Sequence, residues 1–333
     1  MTTTQSDTYK VPDLERAVIE VFGGCNYKCQ MCPQSTGRGH AWVRKMPLDL
    51  FEKTLDQLPG NPIIDLEGSG EPFMAKDLWK YVRACTQRGF KTYAYTNGSF
   101  TTGERMRKAI DEGLSFIRFS CIGYNSELYK KWMSEDNFSL LKDNIKETIS
   151  YINDTGAATK VSSYHLILDN DNIDYEVNEY RKNFIEELGT TAYIWKMHNW
   201  SGNYEPGYER DKSTRRTCGR PFAPEITVRS GGNEGHRGAI TPCCQTLGPP
   251  NESKSVLGHM SNQSLEDIYY GKEYENLRQA HREERFDDIE YCKNCDFLYE
   301  DPEVLVWSND PNASTHYMLG TNFRLDEVKI QEK

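Results

Sequence analysis

The chain has 333 residues, a net charge of -10 and a hydrophobic fraction of 37%. This length predicts one large domain with a smaller second one. No apolar run of about 18 residues occurs, which excludes a transmembrane helix, and the N-terminus lacks the basic start and apolar core of a secretory signal. The acidic balance argues against nucleic-acid binding. We therefore expect a cytoplasmic protein with neither a membrane nor a nucleic acid as partner.

Strand and helix patterns alternate through the first 200 residues. Short apolar runs predict strands at 17–22, 62–66, 91–96, 116–120, 160–168 and 191–198. Helical spacing of apolar residues predicts helices at 47–58, 76–88, 104–112, 126–153 with a break near Asp136, and 175–188. Such alternation implies parallel strands joined by right-handed crossovers. Because six β-α repeats fall short of the eight in a closed barrel, we predict an α/β fold of the partial (β/α)6 TIM-like barrel type, with a doubly wound sheet as the alternative.

The pattern changes after about residue 200. Two short runs at 226–229 and 239–241 predict a hairpin, and helical pieces follow from 264 to about 284. We therefore expect a barrel domain at 1–205, a small second domain at 206–310 and a C-terminal tail at 311–333.

Ten cysteines stand out in a chain that shows no sign of an oxidising compartment, which indicates metal binding or catalysis. Cys25, Cys29 and Cys32 directly follow the first predicted strand, at the end of the barrel where active sites gather. Three thiolates this close can bind three corners of an iron–sulfur cube and leave the fourth iron open. A three-cysteine zinc site completed by a distant His is the alternative.

This Cys-x3-Cys-x2-Cys loop resembles that of the radical S-adenosylmethionine (radical SAM) superfamily, and further motifs lie where that family has them. Glu67–Pro72 after the second strand is similar to the family's Gly-Gly-Glu region, Thr96–Gly98 follows the third strand, and Ser120 ends the fourth. The resemblance implies that residues of these motifs bind S-adenosylmethionine (AdoMet). They are Met31, Gly68, Ser69, Gly70, Glu71, Asn97 and Ser120.

The same resemblance implies the chemistry. A [4Fe–4S] cluster on the three cysteines would bind the methionyl amine and carboxylate of AdoMet, and electron transfer would release a 5′-deoxyadenosyl radical that abstracts hydrogen from a substrate. An electron donor such as flavodoxin or ferredoxin is the implied protein partner. The cofactor carries the chemistry, while the protein positions and shields it.

A second cysteine set lies in the last third of the chain. Cys218, Cys243, Cys292 and Cys295 resemble the auxiliary-cluster extension of radical SAM enzymes known as SPASM or twitch, including its Gly-x4-Cys stretch at 238–243. Because the dense middle group of the full SPASM pattern is missing, the resemblance implies one auxiliary [4Fe–4S] cluster with four Cys ligands. A four-cysteine zinc site is the alternative. Cys244 could replace Cys243 as ligand, or remain a free thiol near the substrate.

Superfamily membership does not determine the reaction. The single auxiliary cluster resembles aminocyclitol dehydrogenases, which predicts oxidation of a sugar-like substrate. The first alternative is an epimerase with a cysteine hydrogen donor, for which Cys244 and then Cys121 are candidates. The others are a maturase of ribosomal peptides, which the short stretch before the first strand disfavours, and a non-catalytic zinc protein. His198, after the sixth strand, is a further candidate catalytic residue at the mouth of the barrel.

Overall fold

Parallel strands form the centre of the computed structural model, which describes residues 10–36, 43–207, 215–246, 254–299 and 305–313. The central strands are β1 (Leu14–Ile19), β2 (Gly60–Leu66), β3 (Thr92–Thr96), β4 (Phe116–Ser120), β5 (Lys160–Leu166) and β6 (Thr191–Trp195). Each pairs in parallel with the next in chain order. The predicted α/β alternation is confirmed, although β1 lies three residues earlier than the apolar run indicated.

Helices alternate with the strands and continue after them, and most bury apolar residues along one side because an apolar stripe needs a partner surface. They are α1 (Pro33–Thr36), α2 (Leu48–Leu55), α3 (Leu78–Gln87), α4 (Glu104–Asp111), α5 (Ser126–Met133), α6 (Phe138–Thr155), α7 (Ile173–Tyr180), α8 (Leu265–Tyr269) and α9 (Lys272–Arg282). The predicted break is confirmed: α5 ends at Met133, and the next residue, Ser134, has a left-handed φ of 59°. No helix within the described ranges has the length and apolar character needed to cross a bilayer.

Four further strands extend the sheet at both edges. β7 (Glu225–Val228) pairs in parallel with β1, and β8 (Ala239–Thr241) and β9 (Gly258–His259) follow it in antiparallel order. At the other edge, β10 (Leu305–Ser308) pairs antiparallel with β6. The hairpin was expected, but its parallel attachment to β1 was not. The sheet is therefore an open, partial barrel, as predicted. Most of the expected tail at 311–333 lies outside the described residues.

Alternation along the strands separates two sets of side chains. Arg16, Asp65, Tyr95, Arg118 and Tyr164 line a cavity on the concave face of the sheet. The apolar residues between them face the helices. A concave face with this many charged groups is poorly suited to be a dry core, so it is the part of the fold where a polar ligand would bind.

Candidate active site

The first cysteine loop follows β1 and lies against α5 and the end of β3. The Cys29 sulfur is 3.7 Å from the Met133 sulfur, and the Asn97 side-chain amide donates to the Cys25 sulfur over 3.7 Å. Burial raises the pKa of the Cys25 thiol to about 12. Burial and then the neighbouring Cys32 and Cys25 raise the pKa of Cys29. The fold thus brings the three predicted ligands together, where their thiolates need compensating positive charge.

Two glycines hold the loop after β2 against the cysteine loop. A Cβ on Gly70 would lie 2.1 Å from the carbonyl oxygen of Phe22 and 2.5 Å from that of Gly24. A Cβ on Gly68 would lie 2.4 Å from a carboxylate oxygen of Glu20. The Glu71 amide donates to the Gly24 carbonyl over 2.8 Å. The expected AdoMet-binding loop therefore lies directly beside the expected cluster loop.

Glu71 is a buried carboxylate whose two oxygens are both used within the protein. It accepts from the amides of Phe73 (3.0 Å) and Asn97 (2.7 Å) and from the Thr96 hydroxyl (2.8 Å). Burial raises the pKa of Glu71 to about 7, against the lowering effect of these donors. Glu71 thus joins the loop after β2 to the end of β3. That Glu71 also binds AdoMet stays a prediction.

The other predicted AdoMet-binding residues lie at the same ends of the parallel strands. The Asn97 side chain accepts from the Ser99 amide over 3.0 Å and donates to the Asn26 side chain over 3.1 Å. Ser120 is half-buried at the end of β4, and Met31 is buried next to Cys32. Neighbouring parallel strands end at one edge, and this brings together motifs that are far apart in sequence.

The second cysteine set comes from three places in the chain: Cys218, Cys243 after β8, and the pair Cys292 and Cys295 after α9. Burial, Cys218 and Cys243 all raise the pKa of Cys295, and burial followed by Cys243 raises that of Cys218 to about 11. Burial raises the pKa of Cys292, and Cys218, Cys295 and Cys243 raise it further. No three His, Cys, Asp or Glu side chains are preformed around a single ion in the described part of the chain. A set of four thiols that influence one another fits a cube, which binds each cysteine at a separate iron.

Cys244 faces away from that set. It lines the cavity on the concave face, and its sulfur is 3.7 Å from a guanidinium nitrogen of Arg220. Burial raises the pKa of the Cys244 thiol to about 12, although Arg220 opposes the shift. Adjacent cysteines thus point to different sites: Cys243 to the other cysteines and Cys244 to the cavity.

The cavity has a volume of about 240 Å³ and is rich in charge. Arg16 pairs with Asp65, and Arg220 pairs with Glu225 over 2.8 Å. Glu67 also lines the cavity, and its carboxylate has neither a hydrogen bond nor an ion pair with any residue that the structure describes. Burial raises the pKa of Glu67, against the pull of Arg16 and other arginines.

Arg118 is the cavity-lining arginine without a carboxylate partner among the described residues. Its guanidinium donates to the Ser162 hydroxyl over 3.3 Å and lies 4.2 Å from the ring centre of Tyr193. Stacking on an aromatic face holds the cation in place without using all of its donors. Arg118 can therefore donate to oxygen atoms of a bound molecule.

The remaining candidate catalytic residues occupy different places. His198 lines the cavity, with its ring 3.8 Å from that of Trp200. Cys121 is fully buried behind β4, where its sulfur lies 3.5 Å from the Phe119 carbonyl oxygen. Burial raises the pKa of the Cys121 thiol, against the lowering effect of Tyr180 in α7. The structure therefore brings Cys244 and His198 to the cavity but not Cys121. The alternation of side chains along β4 explains this, since Ser120 and Cys121 point to opposite faces.

Sequence reasoning missed the polar residues that connect these loops. Glu20 contacts the loop after β2, and Arg229 contacts the loop that carries Cys244. Asn199 donates to the Asn294 carbonyl over 2.6 Å and accepts from the Asp296 amide over 3.1 Å, which joins the segment after β6 to the second cysteine set. A charged residue within an otherwise apolar strand was the available signal for Glu20.

Two family models match the chain. That of the radical SAM superfamily matches residues 19–180, and that of the SPASM iron–sulfur cluster-binding domain matches residues 235–296. The first range contains Cys25, Cys29 and Cys32, and the second contains Cys243, Cys292 and Cys295, whereas Cys218 lies outside both. That these cysteines are cluster ligands stays a prediction.

Curated relatives match parts of the chain. The tungsten-containing aldehyde ferredoxin oxidoreductase cofactor-modifying protein of Pyrococcus furiosus is 30% identical over 105 residues, which are 31% of this chain and 29% of that protein. The AdoMet-dependent heme synthase of Methanosarcina barkeri is 26% identical over 178 residues, 52% of this chain and 48% of that protein. The chain thus spans less than half the length of these relatives.

Solved structures share the fold. BtrN in complex with AdoMet and 2-DOIA is 18% identical, with 85% of this chain and 93% of BtrN covered at a TM-score of 0.55. SuiB of Streptococcus suis, bound to the precursor peptide SuiA, is 16% identical, with coverages of 80% and 67% and a TM-score of 0.58. The anSMEcpe enzyme with AdoMet and the Cp18Cys peptide is 15% identical, with coverages of 78% and 81% and a TM-score of 0.53. The chain therefore contains a radical SAM domain at 19–180 and a SPASM domain at 235–296, and these domains imply a [4Fe–4S] cluster, an auxiliary cluster and AdoMet as its cofactors.

Proposed function

We propose that this protein abstracts a hydrogen atom from a C–H bond of a small, polar molecule and oxidises it, with a sugar-like or aminocyclitol compound as substrate. The observation that carries the proposal is the charged cavity on the concave face of the sheet, which both Glu67 and Cys244 line. A volume of about 240 Å³ suits a small molecule. The complex of BtrN with 2-DOIA, a protein of similar fold, supports this substrate class.

The residues present fit the cofactors. Cys25, Cys29 and Cys32 would hold the radical SAM cluster, and the residues of 68–71, with Asn97 and Ser120, would hold AdoMet beside it. Cys218, Cys243, Cys292 and Cys295 would hold the auxiliary cluster. When bound, AdoMet and its cluster supply a radical that removes a hydrogen atom, and the auxiliary cluster supplies an acceptor for one electron.

The chain's own groups then have defined tasks. Oxidation of an alcohol to a carbonyl also releases the hydroxyl proton, and Glu67 is suited to take it because its carboxylate lines the cavity and burial raises its pKa. Arg118 would orient the substrate by donating to its oxygens. Trp195 and Trp200, which line the same cavity, would exclude water from the reacting carbon.

A second candidate function is a redox-neutral epimerisation, which the cavity-facing Cys244 thiol favours. An epimerase must return a hydrogen atom to the opposite face of the carbon, and a thiol can donate it. Peptide modification is the third candidate. The complexes of SuiB with SuiA and of anSMEcpe with Cp18Cys support it, and the cavity could hold one side chain of a peptide.

Reaction in heavy water with candidate aminocyclitols and amino sugars distinguishes the outcomes. Oxidation lowers the product mass by two units, whereas epimerisation introduces one solvent deuterium at carbon. Cys244→Ala should stop an epimerase after hydrogen abstraction and leave an oxidase active. Cys25→Ala should abolish 5′-deoxyadenosine formation. If the variant still formed 5′-deoxyadenosine, the assignment of the cluster loop would be contradicted.

A further inference from the structure

The Glu20 carboxylate lies where the ends of β1 and β7 meet the loop after β2. It is 1% exposed. One oxygen accepts from the amide and hydroxyl of Ser69 over 2.7 and 2.8 Å. The other accepts from the amide and hydroxyl of Ser230 over 3.1 and 2.6 Å. A single buried carboxylate thus holds the expected AdoMet-binding loop on one side and the SPASM-side strand end on the other.

Arg229 extends this connection to the second cysteine region. Arg229 is 1% exposed, and one of its guanidinium nitrogens lies 3.5 Å from a carboxylate oxygen of Glu20. Another of its nitrogens donates to the carbonyl oxygens of Cys244 and Thr246 over 2.9 and 3.0 Å. The buried ion pair therefore contacts both the loop after β2 and the loop after β8.

The loop after β2 has little freedom to move away from Glu20. A Cβ on Gly68 would collide with the Glu20 side chain at 2.4 Å, and a Cβ on Gly70 would collide with the backbone before Cys25 at 2.1 Å. The loop is packed between these two neighbours. A shift of Ser69 would therefore displace the backbone carbonyls of 67–70 relative to the cluster loop.

We propose that Glu20 is a positioning residue that sets the AdoMet-binding loop and, through Arg229, couples it to the loop of Cys243 and Cys244. This inference rests on the assignment of residues 68–71 to AdoMet in the proposed function. Glu20 acts through Ser69 and Ser230 rather than by touching the cofactor. It keeps the two cofactor regions in a fixed relation, because both loops hydrogen-bond to one ion pair.

Glu20→Gln is the first test. The amide replaces one acceptor oxygen with a donor, so it faces donors from Ser69 or Ser230, and it leaves the Arg229 charge without its buried counter-charge. The loop must shift to relieve this conflict. We expect the dissociation constant of AdoMet, measured by equilibrium binding to the anaerobically reconstituted protein, to rise at least tenfold. The change that AdoMet causes in the EPR spectrum of the reduced cluster should weaken in parallel.

Glu176→Gln is the matched control. Glu176 is also 1% exposed and accepts several hydrogen bonds, from the Leu168 and Asp169 amides and from His165 over 2.7 Å. Glu176 belongs to α7 and contacts His165 of β5, on the helix side of the sheet. Its substitution should lower thermal stability to a similar degree and leave the AdoMet dissociation constant within twofold of the wild type.

Ser230→Ala is the milder second variant, which decides the question if Glu20→Gln does not fold. It removes one hydrogen bond to Glu20 from the side opposite Ser69. We expect it to raise the AdoMet dissociation constant about threefold. Unchanged affinity in every folded variant of Glu20 and Ser230 would overturn the inference. Failure of the wild-type protein to bind AdoMet would instead contradict the proposed function.

Discussion

Gly70→Ala introduces a single methyl group where the two cofactor loops touch. The new Cβ would lie 2.1 Å from the Phe22 carbonyl oxygen, so the loops must separate by about 1.3 Å to reach ordinary contact at 3.4 Å. Such overpacking costs about 1–3 kcal/mol. Separation also weakens the 2.8 Å hydrogen bond from the Glu71 amide to Gly24, with a further loss of about 1 kcal/mol. We expect a total destabilisation of about 2–4 kcal/mol.

The thermal midpoint of the reconstituted protein and its AdoMet affinity measure the effect. A loss of about 2–4 kcal/mol should lower the midpoint by several degrees, and AdoMet binding should weaken at least tenfold because the carbonyls of the loop move. Gly207→Ala is the matched control, since nothing lies within 4 Å of its Cβ. A Gly70→Ala protein with the stability and affinity of Gly207→Ala would refute the reasoning.

Other outcomes follow from separate contacts. Cys243→Ala should lose the iron of one cluster, roughly four atoms per chain, whereas Cys244→Ala should keep it; iron analysis of both variants checks this. Burial lowers the pKa of His281 to about 4, so the protein should lose stability as pH falls from about 6.5 toward 4, by up to about 1.4 kcal/mol per pH unit. Denaturant titrations at several pH values should give a smaller loss for His281→Gln. Asn199→Ala should cost about 2–3 kcal/mol in the same titrations, because the Asp296 amide and the Asn294 carbonyl lose their partner.

Most of the predictions from sequence came from short local patterns. The spacing of Cys25, Cys29 and Cys32 after an apolar run is visible in a short window, as is the Glu67–Pro72 motif. The order of these motifs along successive strands predicted that they meet at one edge, because parallel strands end together. The open barrel followed from the same alternation.

Long-range pairings could not be read in this way. Glu20 and Arg229 meet across 209 positions of sequence. Their contact depends on the parallel pairing of β7 with β1, which no hairpin pattern predicts. The opposite orientations of Cys243 and Cys244 also depend on the backbone after β8, which adjacent identical residues do not reveal. Contacts between distant segments decide which thiol meets the cavity.

The pairing of β7 with β1 has a consequence for how the chain can be divided. Four residue pairs join the two strands, so a fragment ending near residue 205 would expose the edge of β1 at residues 16–19. A bare edge strand pairs readily with other chains and promotes aggregation. The barrel and the SPASM region are therefore expected to behave as one cooperative unit, and a truncated barrel should be recovered mainly as insoluble material.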